Sequence, residues 1–264
     1  MPAFEKVNLD GVKNIIVVAS GKGGVGKSTV SANLAISLAR NGYKTALVDA
    51  DIFGPSIPKM FGIENANPEV TLLGDKEVMF PVEKFGVKIM SIGFFVKKNQ
   101  GLIWRGPMAA NAIMQLFEST VWGDIDYMVV DFPPGTSDIQ LTTVQKLHLA
   151  GAIIVTTPQE VAVNDARKAA SMFNNPDLKV SILGVVENMA WFTPASHPDE
   201  KYFIFGKNGG ILLSQELGTK LLGQIPLISE VCECSDNGSS IFNTNNQIVT
   251  NAFDKLTDTV VNSI

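Results

Sequence analysis

The stretch that most constrains this chain is VKNIIVVASGKGGVGKSTVSANLAISLAR, residues 12–40. It opens with apolar, β-branched residues on consecutive positions, the pattern of a strand covered on both faces. It closes with Val30, Leu34 and Leu38 on one helical stripe, stopped by Asn41-Gly42. Between strand and helix, Gly21-Lys22-Gly23-Gly24-Val25-Gly26-Lys27-Ser28 fits the spacing G-x-x-x-x-G-K-[ST]. Four glycines let successive backbone amides turn inward around phosphate oxygens, and the helix amino terminus adds partial positive charge. Lys27 is placed to neutralise β- and γ-phosphates. The Ser28 hydroxyl, with Thr29 beside it, is placed to join a Mg²⁺ shell. Gly21 to Thr29 therefore form a candidate triphosphate cradle for ATP.

A strand, phosphate loop and helix need further strands to cover them, and the chain supplies these at regular spacing. Strand candidates are 12–20, 43–51, 87–94, 125–133, 151–158, 180–189 and 221–227. Helical patterns lie between them. One starts at Pro107 and runs to about 120, one over 139–149 is capped by Asp138, and one runs from Glu160 to just before Asn174. Others cover 211–218 and 247–262. This alternation predicts an α/β fold, a doubly wound, mostly parallel sheet with helices on both faces and ligands at the carboxyl ends of strands. With no linker in view, residues 1–264 are expected to form one ATPase domain. Residues 1–11 would be an amino-terminal extension, and no separate small amino-terminal domain is expected.

Two acidic strand ends complete the chemistry. LVDADIFGPSIP offers Asp49 and Asp51, which period-2 geometry would point the same way. Asp51 leads into Gly54-Pro55-Ser56, a loop suited to switching, and is the candidate to orient an attacking water. Asp49 divides evenly between that role and capping the following turn. IDYMVVDFPPGTSD ends an apolar run in Asp131, placed to bond metal-bound water, and Pro133-Pro134-Gly135 would run close to the γ-phosphate.

Lys22 is the unusual member of the loop. Its side chain leaves before the cradle closes, so it is either a solvated lysine or one that reaches a nucleotide held by a second subunit.

SGKGGVGKST resembles the deviant phosphate loop of the MinD/ParA/nitrogenase-iron-protein class, in which the early lysine contacts the partner's nucleotide across a homodimer. DADIFGPSIP, IWRGPM and DFPPGTSD, with VVENMAWF, IFGKNGG and LLGQIPL, resemble the Mrp/ApbC family more narrowly. The resemblance implies a cytosolic ATPase that carries iron–sulfur clusters to apoproteins. It also implies that Asn188 reads the adenine ring, with the loop near Pro226 close by. The chain departs from the family where it matters for cargo. Relatives have a C-x-x-C pair after the ENM block, said to hold a cluster between two subunits. An ungapped reading puts Pro194 and His197 at those positions. The two thiols lie instead at Cys232 and Cys234. If that segment is extended, both could approach one metal; otherwise they are small residues packed in a loop.

Composition narrows the partners. A net charge of −5 with no basic run argues against nucleic acid, and the apolar runs are too short to span a bilayer. The last helix carries Asp254, Lys255 and Asp258 on its polar face rather than a lysine stripe, which argues against membrane binding. Two cysteines in 264 residues suit a reducing cytoplasm. The competing readings are a positioning or scaffold ATPase of MinD or ParA type and, more remotely, an ATP-driven ligase of dethiobiotin synthetase type. Trp191, Phe192, Tyr202 and Phe203 divide between ordinary packing and a partner-binding patch.

Overall fold

The computed structural model describes residues 6–95, 106–175, 178, 180–194, 196–197 and 199–264. In chain order the elements are β1 Val12–Ser20, α1 Lys27–Arg40, β2 Thr45–Asp49, α2 Ile57–Met60, β3 Val70–Leu73, β4 Lys76–Met79, β5 Val82–Lys84 and β6 Val87–Ser91. There follow α3 Gly106–Glu118, β7 Ile125–Asp131, α4 Asp138–Lys146, β8 Gly151–Thr156, α5 Glu160–Phe173 and β9 Ile182–Phe192. The chain closes with α6 Gly209–Glu216, β10 Lys220–Leu227, α7 Ser229–Asp236 and α8 Gln247–Val261.

Eight strands form one sheet in the order β10-β9-β8-β1-β7-β2-β6-β5, parallel throughout except for the edge pair β5–β6. The expected doubly wound α/β sheet is what the chain builds. Its central strands are buried on both sides, which is why they read as unbroken apolar runs. On one face Ile15, Val17 and Ala19 of β1 pack with Ile113 and Phe117 of α3, Val144 of α4 and Ala166 and Phe173 of α5. On the other, Ile16 and Val18 pack with Leu34 and Leu38 of α1 and Phe253 and Leu256 of α8. Phe253, Leu256 and Val260 are fully buried, so α8 docks its apolar stripe on its own sheet. Among the described residues no helix is long and apolar enough to cross a membrane.

Several boundaries differ from expectation for local reasons. β6 stops at Ser91, whose hydroxyl accepts from the Gly93 amide and starts a single 3-10 turn over Ile92–Phe94. The cap of α4 is Ser137, not Asp138: the Ser137 hydroxyl accepts from the Gln140 amide. The stretch read as an extension is partly docked, since Val7 forms a parallel bridge to Leu147 and Leu9 is buried. The antiparallel hairpin β3–β4 had no counterpart in the sequence reading. Of IWRGPM, residues 103–105 lie outside the described residues.

The larger correction concerns the cysteines. Cys232 and Cys234 lie on α7, not on an extended segment. Two positions along an α-helix turn a side chain about 200° around the axis, so the two thiols point apart. Cys232 is exposed, whereas Cys234 is half-buried beside Ala32, Asn33, Ile36, Met60 and Phe61. They do not form a chelating pair within the chain.

Candidate functional site

Register alone brings the candidate residues together. Asp49 at the end of β2 lies opposite Asp131 at the end of β7, and Asp131 is opposite Val18, two residues before the end of β1. The loop from Gly21 to Gly26 therefore leaves the sheet beside both acidic ends. Gly24 and Gly26 hold φ of 82° and 81°, the left-handed region that suits glycine, and Gly26 is the amino-terminal cap of α1. A Cβ on Gly23 or Gly24 would meet nothing within 4 Å, so this side of the loop faces open space. The opposite side is packed. A Cβ on Gly26 would lie 2.1 Å from Asn188 Nδ2, and one on Gly21 would overlap the α5 backbone at Asp165.

Beneath the loop is a compact polar cluster centred on Asp131, which is fully buried. Lys27 Nζ lies 2.8 Å from Asp131 Oδ1 and 3.8 Å from Asp51 Oδ2. The Ser28 hydroxyl donates to Asp131 Oδ2 at 2.6 Å and accepts from Lys27 Nζ at 3.1 Å. The Ser31 hydroxyl, one helical turn on from Lys27, donates to Asp131 Oδ1 at 2.7 Å. The loop lysine lies on the carboxylates that flank its own cradle.

β2 ends at Asp49, so strand alternation does not extend to Asp51, and the two carboxylates take different hydrogen-bond and ion-pair partners. Asp49 Oδ1 accepts from the Asp51 amide, and Oδ2 accepts from the Ile57 amide and the Ser91 hydroxyl. It braces both ends of the loop 50–57. Burial, then the nearby Asp131 charge, pushes the Asp49 carboxyl up to about 8. Asp51 is also raised by burial, and the Lys27 ammonium opposes that shift. The Pro133-Pro134-Gly135 turn meets the phosphate loop directly, the Gly135 amide donating to Ser20 O at 2.9 Å.

Asn188 closes the far side of the loop by donating from Nδ2 to Val25 O at 2.8 Å. Its neighbour Glu187 is buried on the alternate face. Glu187 accepts from the Gly210 amide at 2.6 Å and Gln224 Nε2 at 2.7 Å, which ties β9, α6 and β10 together. Met189 then holds a φ of 54°, a sparsely populated conformation for a side-chain-bearing residue, where β9 slips register against β10. Beyond these strand ends is a cleft of about 390 Å³ lined by Phe192, Pro194, Pro226, Leu227, Glu230 and Ile248.

Lys22 is half-buried and enters no ion pair among the described residues. Pro194 and His197 fall in a turn, where the His197 amide donates to Pro194 O and His197 Nδ1 lies 3.6 Å from Glu200 Oε1. No three His, Cys, Asp or Glu side chains among the described residues are grouped so as to hold a metal ion. For Mg²⁺ that is no obstacle, since it commonly takes one or two protein oxygens with phosphates and waters. Ser28 and Asp131 supply that donor set. For a soft iron–sulfur cargo, residues 193–200 include no thiol. The nearby aromatic residues form an antiparallel bridge, Phe192 to Tyr202, with Lys201 stacked on Trp191 and Lys207 on Phe203. Sequence reasoning missed Ser31, Glu187 and Met189.

A mostly parallel sheet with a glycine loop ending in a lysine and a serine, and a buried aspartate on the adjacent strand, defines a nucleotide-binding P-loop NTPase. Residues 11–261 match the model of the ParA family described as NUBPL iron-transfer P-loop NTPase, and the chain belongs to that family. It is 48% identical over 241 residues to an iron-sulfur cluster carrier protein of Aquifex aeolicus, covering 91% of this chain and 65% of that protein. It is 46% identical over 261 residues to the Arabidopsis thaliana mitochondrial iron-sulfur protein required for NADH dehydrogenase, covering 98% of this chain and 81% of that one. Among solved structures, a nucleotide-binding protein from Archaeoglobus fulgidus in complex with ADP superposes with a TM-score of 0.75 at 38% identity, covering 87% of this chain and 88% of that chain. The septum site-determining protein MinD from Pyrococcus horikoshii, complexed with Mg-ADP, shares the fold with a TM-score of 0.68 at 22% identity, covering 94% of this chain and 95% of the other.

Proposed function

We propose that this chain is a Mg²⁺-ATP-dependent ATPase, working as a homodimer in the cytoplasm, that binds iron–sulfur clusters and delivers them to apoproteins. The carrying observation is the cluster of Lys27, Ser28, Asp51 and Asp131 beneath an open glycine loop, in a chain 48% identical to a cluster carrier. Lys27 exchanges its carboxylate partners for phosphate oxygens when ATP enters, because a polyanion offers it more charge than two aspartates. Ser28 and Asp131 hold the magnesium ion, which when bound neutralises charge on the phosphates. Asp51, freed from Lys27, orients the attacking water, and Asp49 keeps Asp51 in place through its amide. Asn188 borders the base-binding side of the loop. Lys22, with no partner of its own in the site, reaches the nucleotide of the second subunit. The chain acts as one ATPase unit.

Loss of the γ-phosphate is felt at Gly135 and at Gly54, both in loops anchored to the site, and the subunit contact changes with it. Cargo then depends on thiols brought together between subunits, since Cys232 and Cys234 diverge within one chain. Anaerobic reconstitution with iron and sulfide tests this. Visible thiolate-to-iron absorption should appear, be lost in Cys232→Ala or Cys234→Ala, and move to an added apo-ferredoxin. A colourless wild-type protein refutes carriage by this chain alone.

A further inference from the structure

We infer that Ser31 is a positioning residue for the metal site, acting through Asp131. The inference rests on the nucleotide-binding reading above. Ser31 is fully buried in α1 and offers one hydroxyl proton. Two acceptors lie in reach, the Lys27 carbonyl at 3.1 Å and Asp131 Oδ1 at 2.7 Å. The carboxylate is the nearer and the charged acceptor, so it takes the proton, a charge-assisted bond.

What singles Ser31 out is that its bond need not change when ligand arrives. Asp131 has three side-chain donors: Lys27, Ser28 and Ser31. The first two face the cradle and are the groups that phosphate and metal would recruit. Once they leave, a carboxylate with no exposure to solvent keeps a single side-chain partner, and that partner fixes its plane. Without Ser31 the carboxylate is free to rotate about its terminal torsion, which has broad wells. Groups that orient a ligand from behind in this way typically change metal affinity by about 10- to 100-fold when removed.

The motif that announces the phosphate loop ends at Ser28, so nothing in that pattern marks Ser31. On sequence it is one more small polar residue in a helix.

The test is a Mg²⁺ titration of nucleotide binding, followed with a fluorescent ADP analogue on the full chain and needing no turnover. Ser31→Ala should raise the half-saturating Mg²⁺ concentration about 10-fold, while affinity for the analogue in EDTA stays at the wild-type value. Ser31→Thr, which keeps the hydroxyl, should restore the wild-type midpoint. In an Asp131→Ala background, which removes the acceptor, Ser31→Ala should cause no additional shift, because the residue acts only through that carboxylate. An unchanged midpoint in Ser31→Ala overturns the inference, as does an equal shift in the Asp131→Ala background. If Ser31→Ala does not fold, a Ser31→Thr midpoint away from wild type overturns it. A wild-type chain that binds no analogue at any Mg²⁺ concentration sinks the nucleotide-binding reading instead, a separate outcome.

Discussion

Replacing Lys27 by alanine should destabilise the nucleotide-free protein, and should do so more at alkaline than at acid pH. Lys27 is 6% exposed and is the cation paired with Asp131 and Asp51, whose side chains are 0% and 12% exposed. Removing one partner of a buried pair costs about 3–5 kcal/mol. Ser28 and Ser31 stay on Asp131 as hydroxyl donors, which places the cost near the low end, about 3 kcal/mol. At roughly 2–4 °C per kcal/mol for a chain of this size, the melting temperature should fall by about 6–12 °C at pH 8. The pH dependence follows from Asp49 and Asp51. Burial raises both, and Lys27 is the charge that opposes the rise. With Lys27 gone their folded-state values move further above the unfolded ones. The folded state then holds protons that the unfolded state has released, so stability falls as pH rises through that window. At pH 5 the Asp49 carboxyl is neutral in the folded protein, so the loss should be smaller than at pH 8. Thermal melts followed by circular dichroism at both values decide it. A melting temperature within about 2 °C of wild type at pH 8, under roughly 1 kcal/mol, refutes the reasoning, as does a larger loss at pH 5.

Asp49→Asn should flatten the pH dependence of wild-type stability. With its carboxyl near 8 when folded, Asp49 favours the folded state at low pH and loses that contribution as pH rises towards 8. The slope of up to about 1.4 kcal/mol per pH unit should vanish from urea-unfolding midpoints taken between pH 5 and 8. Gly26→Ala should lower nucleotide affinity at least about tenfold, because φ of 81° costs roughly 1–2 kcal/mol for alanine and the new methyl meets Asn188. Equilibrium dialysis with labelled ADP reads it, and near-wild-type binding contradicts it. Lys22→Ala should leave binding of Mg-ATP to a single chain within about twofold, under roughly 0.5 kcal/mol. It should abolish ATP-induced dimerisation in light scattering, and unchanged dimerisation removes the cross-subunit role.

The parts of this molecule legible in its sequence are those where a single force sets the pattern. Strands β1, β2, β7 and β8 are enclosed on both faces, so Ile15 to Ala19 or Met128 to Val130 tolerate no polar residue and show as unbroken runs. The phosphate loop was legible because positive φ at Gly24 and Gly26 admits few residues but glycine. The hairpin β3–β4 was not, since Val70, Leu72 and Leu73 are exposed and no burial periodicity marks its strands. SEVCECSD forms α7 with no buried residue, so its helix leaves little apolar signature, and its sequence divides between an extended segment and a packed loop without showing the helix. The site divides in the same way. Lys27, Ser28 and Asp131 announce themselves by spacing, whereas Ser31 and Glu187 matter through partners 100 and 37 positions away, which no local window contains.

The measurement that tests the account most directly is isothermal titration of the wild-type chain with ATP in the presence of Mg²⁺, repeated with Lys27→Ala. One nucleotide should bind per chain in the first titration, with no detectable heat in the second. Absence of binding by the wild type, or equal binding by the variant, contradicts the assignment of residues 21–29 as the phosphate cradle.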